Sequence, residues 1–175
     1  IDKFMSFGQP EAARRYLDRF LARGGVAANQ DLSESYFLVG SELALQKKFQ
    51  EAMGTLAQAI KLNPAKTRAR LQLATLLFRF QRFAEAVPHL RMVVAEQPLV
   101  HNTRKMLALA LSQSGDYANA VRHLEYLSSL DSKDAMAKLW YGHALVRTGR
   151  ASEAEKLFRA ALRLKPDSIL VLNEL

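Results

Sequence analysis

The chain contains no cysteine. Disulfides, thiolate metal sites and a cysteine nucleophile are therefore excluded, and the redox compartment cannot be read from cysteine usage. Uncharged apolar runs of the roughly 18 residues that a bilayer crossing needs are absent. The first residues also lack the charged-then-apolar pattern of a secretory signal, so no membrane span is expected in this segment. Histidine occurs only four times and tryptophan once, at Trp140. His89 and His123 stand 34 apart, but no carboxylate or third ligand is patterned beside them, so the reading is packing rather than metal. No glycine-rich phosphate loop, Ser/His/Asp arrangement or paired-acid motif occurs. No catalytic, metal-ligating or cofactor-binding residue is nominated, and the chain is not expected to be an enzyme.

What is present supports a packed core. The 175 residues are 49% hydrophobic and 24% charged, which is the composition of a folded chain and not of a disordered tail. A single domain over 1–175 is the expectation. Twenty-five Lys and Arg stand against seventeen Asp and Glu, a net charge of +8. The excess is spread along the chain, which favours solubility and acidic partners in general over a dedicated nucleic-acid surface. The chain starts at Ile1 and its last residues read as the opening of a helix, so it is expected to be a piece of a longer protein.

Residues 10–23 read as an amphipathic helix. Pro10 falls in the first turn, where its missing N–H does no harm, and Ala13, Leu17, Phe20 and Leu21 recur at helical spacing. Gly24-Gly25 stop it, a linker runs from Val26 to about Gln30, and Asp31 with Glu34 form a candidate capping box for the next helix. From there a fixed period of 34 governs the chain. It links Pro64 to Pro98, and after a step at Ser132 to Pro166. It links Gly40, Ala74, Ala108 and Gly142; Ala52, Ala86, Ala120 and Ala154; Leu43, Leu77, Leu111 and Leu145; and Leu56, Leu90, Leu124 and Phe158. Such a period with helical spacing inside each unit marks stacked helix hairpins. Helices are expected at about 33–46, 50–62, 67–80, 84–96, 101–114, 118–130, 135–148 and 152–164. The small residues of the first helices are expected to face the alanines of the second.

These motifs resemble the tetratricopeptide repeat. Tyr141-Gly142, Leu145, Ala154, Phe158, Ala161 and Pro166 match the family pattern best, and Tyr36, Val39, Gly40, Leu43, Ala52, Leu56, Ala59 and Pro64 match it in an earlier unit. The middle units depart from it: Arg70 and Arg104 replace the opening aromatic, and Ser132 replaces the closing proline. The resemblance implies an all-α, right-handed α-solenoid of stacked antiparallel helix hairpins. Full repeats would span 33–66, 67–100, 101–134 and 135–168. Helix 10–23 would be the second helix of a partial repeat, and 169–175 the start of a further one, capped by Asp167 or Ser168.

The resemblance also implies that the first helices line a concave face that holds a peptide or helix of a partner protein. Carried over slot by slot, the partner-binding residues are Phe37, Ser41, Arg68, Thr75, Phe78, Arg79, Asn102, Lys105, Gln113, Met136, His143 and Arg147. Leu45, Leu71, Leu109 and Leu139 lie beside them as groove or inter-repeat core. Trp140 adjoins these slots outside the family's usual aromatic position, Lys138 here, and is taken as an aromatic partner contact. Cations interleaved with apolar side chains suit an acidic segment with apolar anchors. A subset of the family grips a terminal carboxylate with a set of cations, but the matching slots hold Phe37, Ser41, Gln72, Asn102 and Met106, so no such clamp is expected. The function expected is therefore a protein-interaction scaffold. Two alternatives stand beside it: a basic surface for RNA or another polyanion, against which the aromatics' packing slots argue, and the repeat arm of a larger enzyme. Exposed Ile169, Leu170, Val171 and Leu172 at the open end offer a route to a homo-oligomer.

Overall fold

The computed structural model describes residues 8–23 and 29–166, and every described element is a helix. In chain order these are α1 (Pro10–Ala22), α2 (Asn29–Leu45), α3 (Phe49–Leu62), α4 (Thr67–Arg79), α5 (Phe83–Glu96), α6 (His101–Gln113), α7 (Tyr117–Leu130), α8 (Ala135–Arg147) and α9 (Ala151–Leu164). No helix among the described residues is long and apolar enough to cross a membrane. The chain divides into two compact units, Ile1–Arg82 and Phe83–Leu175.

Nearly all boundaries fall within a residue of the expected ones, because the punctuation is chemical. The exception is α2, which begins at Asn29 and not near 33, so the linker ends earlier and Asp31 lies in the first helical turn. Glu34 is then free to reach sideways, and it pairs with Lys66 instead of closing a capping box. The expected stop at Gly24-Gly25 and the further helix over 169–175 lie outside the described residues.

Each hairpin turn uses the same device. Lys47, Gln81, Gly115 and Gly149 adopt positive φ of 61°, 58°, 86° and 80°. The next N–H then folds back on the carbonyl five residues before it: Lys48 N to Leu43 O, Arg82 N to Leu77 O, Asp116 N to Leu111 O and Arg150 N to Leu145 O, at 2.8–2.9 Å. This is the helix-ending bond of a left-handed C-terminal cap, and its acceptors are the four leucines of one repeat slot. Glycine takes the left-handed conformation freely, whereas Lys47 and Gln81 hold it against their own Cβ. The following helices α7 and α8 carry side-chain caps, Asp116 accepting from Asn119 N at 3.4 Å and Asp134 from Ala137 N at 2.9 Å.

In the first unit the close packing runs between helices adjacent in the chain, α1 on α2, α2 on α3 and α3 on α4. Ala13, Val39, Leu43, Ala52, Leu56, Ala59, Ala69 and Ala74 are fully or almost fully buried there. The buried Ser33 hydroxyl donates to Ala59 O at 2.8 Å, and the Tyr36 hydroxyl donates to Asp18 at 2.7 Å, tying α2 to α1. In the second unit α5 through α9 pack in the same sequential way around Ala86, Leu90, Leu107, Leu111, Ala120, Leu124, Leu145, Ala154 and Phe158.

The small slot of the first helices has a different partner from the expected alanine. A Cβ built on Gly40 would lie 2.9 Å from Leu56 Cγ, and one on Gly142 would lie 2.4 Å from the Phe158 ring. The small residue makes room for the bulky side chain of the second helix, which fills the volume a second alanine would leave empty. The arginines in place of the opening aromatic also have a consistent role. Arg70 donates to Pro64 O at 2.7 Å and Arg104 to Pro98 O at 3.0 Å, so each guanidinium satisfies the turn carbonyl at the proline slot just before its helix.

Candidate functional site

In the first unit, α2 and α4 bring Phe37, Ser41, Arg68, Thr75, Phe78 and Arg79 onto neighbouring turns. Phe37 is only 6% exposed, roofed by the Arg68 guanidinium at 4.8 Å and the Lys66 ammonium at 5.4 Å from its ring centre. These cations are held by the ring's negative face, which turns Phe37 from a free anchor into a seat for charge. The Ser41 hydroxyl lies 2.7 Å from Gln72 Oε1 and 2.8 Å from Phe37 O, its single proton serving both, and joins α2 to α4. Thr75 is exposed and its hydroxyl donates to Leu71 O at 2.8 Å. Phe78 is half-buried. Arg79 is exposed and stacks 4.7 Å from the centre of the Phe49 ring, which itself meets Phe80 at 5.1 Å.

In the second unit, α6 and α8 place Asn102, Lys105, Gln113, Trp140, His143 and Arg147 around two hollows, and Trp140 lines both. The first hollow, about 150 Å³, is bounded by His101, Asn102, Lys105, Asp131, Asp134 and apolar Leu127, Leu130 and Ala137. Lys105 lies 4.8 Å from the Trp140 ring centre and 3.5 Å from Asp134 Oδ2. Burial acts to raise the Asp134 pKa, but the Ala137 N–H, the Lys105 ammonium and the Met136 N–H outweigh it and hold the carboxyl below its ordinary value. Asp134 is therefore an anion at neutral pH.

The second hollow, about 300 Å³, is lined by Leu109, Ser112, Gln113, Tyr117, Trp140, His143 and Arg147. Arg147 stacks 4.5 Å from the centre of the Tyr117 ring, and His143 meets the same ring edge-on at 6.2 Å. Arg79 on Phe49 and Arg147 on Tyr117 are the same pairing two repeats apart, since both members shift by 68 residues. Met136 is half-buried and lines neither hollow, and Leu139 is buried core. Elsewhere on α7, His123 is half-buried, and burial together with Arg104, Arg91 and Arg122 pushes its pKa down, so it stays neutral at pH 7.

Residue-type reasoning missed Asp131, Asp134 and Tyr117 as lining groups. Tyr117 opens α7 just after the Gly115 turn, and its contact with Arg147, 30 residues on, is what brings it to the hollow.

Residues 43–108 match one sequence model of the tetratricopeptide repeat and residues 105–169 match a second. The chain belongs to the tetratricopeptide repeat family. Its fold is accordingly an all-α helical repeat solenoid, and membership places this tetratricopeptide repeat chain in a class of protein-interaction scaffolds; neither matching model describes a catalytic family. Solved structures agree on the fold. MamA from Desulfovibrio magneticus RS-1 is 20% identical, with 91% of this chain and 97% of that one covered at a TM-score of 0.63. MamA AMB-1 is 19% identical, with 94% and 95% covered at 0.70. YrrB, described as a TPR protein with an unusual peptide-binding site, is 18% identical, with 98% and 86% covered at 0.71. No curated protein matches the tetratricopeptide chain.

Proposed function

We propose that the chain is a non-enzymatic scaffold whose first helices hold a segment of a partner protein, acidic and carrying apolar anchors, with no cofactor involved. The observation that carries this reading is the pair of arginine stacks. Arg79 and Arg147 lie over the Phe49 and Tyr117 rings, and among the described residues no carboxylate pairs with either. A guanidinium held over an aromatic ring is already restrained, which leaves its N–H donors ready for a carboxylate at reduced entropic cost. The other groove cations are partly answered from within, Lys66 by Glu34 and Lys105 by Asp134. Arg68, exposed over Phe37, adds charge beside an aromatic seat. The proposed contacts are Phe37, Ser41, Arg68, Thr75, Phe78, Arg79, Asn102, Lys105, Gln113, Met136, Trp140, His143 and Arg147. YrrB's described peptide-binding site supports the class of ligand.

The test is anisotropy of a fluorescein-labelled pool of acidic decapeptides with leucine and phenylalanine at alternate positions. Arg79→Glu combined with Arg147→Glu is expected to weaken binding by about tenfold or more, because each reversal replaces attraction by repulsion. Helicity by circular dichroism should stay unchanged. Undiminished binding by the double variant would move the site off these helices.

A further inference from the structure

The two hollows of the second unit share the Trp140 wall but differ in charge. In the hollow that contains Arg147, no Asp, Glu or Lys stands among the lining side chains, and Gln113, Ser112 and His143 are the guanidinium's polar neighbours. Arg147 is held over the Tyr117 ring at 4.5 Å, and no ion pair among the described residues claims its N–H donors. This hollow is built for an anion. In the neighbouring hollow, Lys105 stands against two carboxylates, Asp131 and Asp134. Lys105 answers Asp134 at 3.5 Å, while Asp131 is exposed and accepts the backbone N–H of Lys133 at 2.8 Å. The same hollow holds the buried Nδ1 of His101, which has no hydrogen-bond partner. A surplus carboxylate above a floor of Leu127, Leu130 and Ala137 suits the aliphatic stem and cationic head of a lysine or arginine. At about 150 Å³ this hollow is smaller than the roughly 300 Å³ at which small-molecule sites begin, so a single side chain is its natural guest.

We propose, resting on the segment-binding reading above, that the partner segment seated at Trp140 is charge-ordered: an acidic side chain meets Arg147, and a lysine or arginine in the neighbouring hollow meets Asp131 and Asp134. A uniformly acidic segment places like charge against those two aspartates. A nucleic-acid strand does the same, having no cation to offer.

Trp140 is the only tryptophan, so its fluorescence, excited where tyrosine does not absorb, reads this site alone. The full chain is titrated with acetylated, amidated octapeptide pools of leucine, serine and alanine containing both Glu and Lys at varied separation. Parallel pools replace Glu by Gln, Lys by Gln, or Lys by Glu. The mixed pool is expected to bind about three- to fivefold more tightly than either pool lacking one charge, the range of a partly exposed ion pair, and the advantage should shrink with salt. Arg147→Gln should erase the preference for Glu over Gln and keep that for Lys, and Asp131→Asn should do the reverse. Equal binding of all pools would overturn the charge order while leaving segment binding intact. Tighter binding of the all-acidic pool would overturn it in favour of a plain acidic partner. Silence of Trp140 toward every pool would sink both the charge order and segment binding at this site.

Discussion

Single residues in this chain are constrained either by backbone conformation or by close approach, and different substitutions tell the two apart. Gly149 and Gly115 have left-handed backbones and open space where a Cβ would go. Alanine there costs only conformational energy, about 1–2 kcal/mol. Gly142 has an ordinary helical backbone but no room, with the Phe158 ring 2.4 Å from a built Cβ. Gly142→Ala should therefore destabilise by about 1–3 kcal/mol through overpacking. Phe158→Leu in that background should recover part of the loss if the clash is the cause, and thermal melts of the single and double variants check it. Lys47 and Gln81 hold left-handed φ without being glycine. Gln81→Gly relieves about 1–2 kcal/mol of strain and gives back about 0.5–1 kcal/mol in unfolded-chain entropy. The expected net is a Tm higher by about 2–4 °C, and a lower Tm would mean that the Gln81 side chain makes a compensating contact.

At the scale of the helix, the sequence was legible wherever a boundary is set by local chemistry. Pro10 marks the start of α1, Gly115 and Gly149 mark the ends of α6 and α8, and the repeated leucine slot that accepts the turn bond carries the same ending to α2 and α4. The start of α2 was not legible, because Asp31 and Glu34 have capping-box spacing while Glu34 is drawn away by Lys66, 32 residues on. The partner of the small slot was misassigned for a related reason. A period of 34 says which residues are equivalent but not which slot of one helix faces which slot of its mate. The arginines at 70 and 104 looked like losses of pattern, yet each bonds a turn carbonyl six residues earlier. The candidate site was legible as a set of slots and illegible as electrostatics. Phe37 sits beneath two cations and Lys105 beside Asp134, pairings that arise only when successive first helices lie side by side.

For the whole molecule the open question is whether a net charge of +8 acts as a field or as a set of separate positions. Several cations are committed inside the fold: Lys48 to Glu11, Lys66 to Glu34, Arg91 to Asp116, Lys105 to Asp134, Arg150 to Glu153 and Arg159 to Glu155. Each such pair presents little net charge to a polyanion, and most are exposed enough to be screened further by salt. Four aromatics that a single strand could otherwise stack on are covered by cations: Phe37 by Arg68, Phe49 by Arg79, Tyr117 by Arg147 and Tyr126 by Arg104. A dedicated single-strand site that neutralised six phosphates would show a slope of about −4 in log affinity against log salt, from about −0.7 per phosphate. This chain is expected to bind oligouridylate weakly, with a slope no steeper than about −2, corresponding to two or three scattered contacts. Anisotropy of labelled oligouridylate across a salt series measures it directly. A slope near −4 would mean that the cations converge on one strand, and the scaffold reading would then give way to the polyanion one.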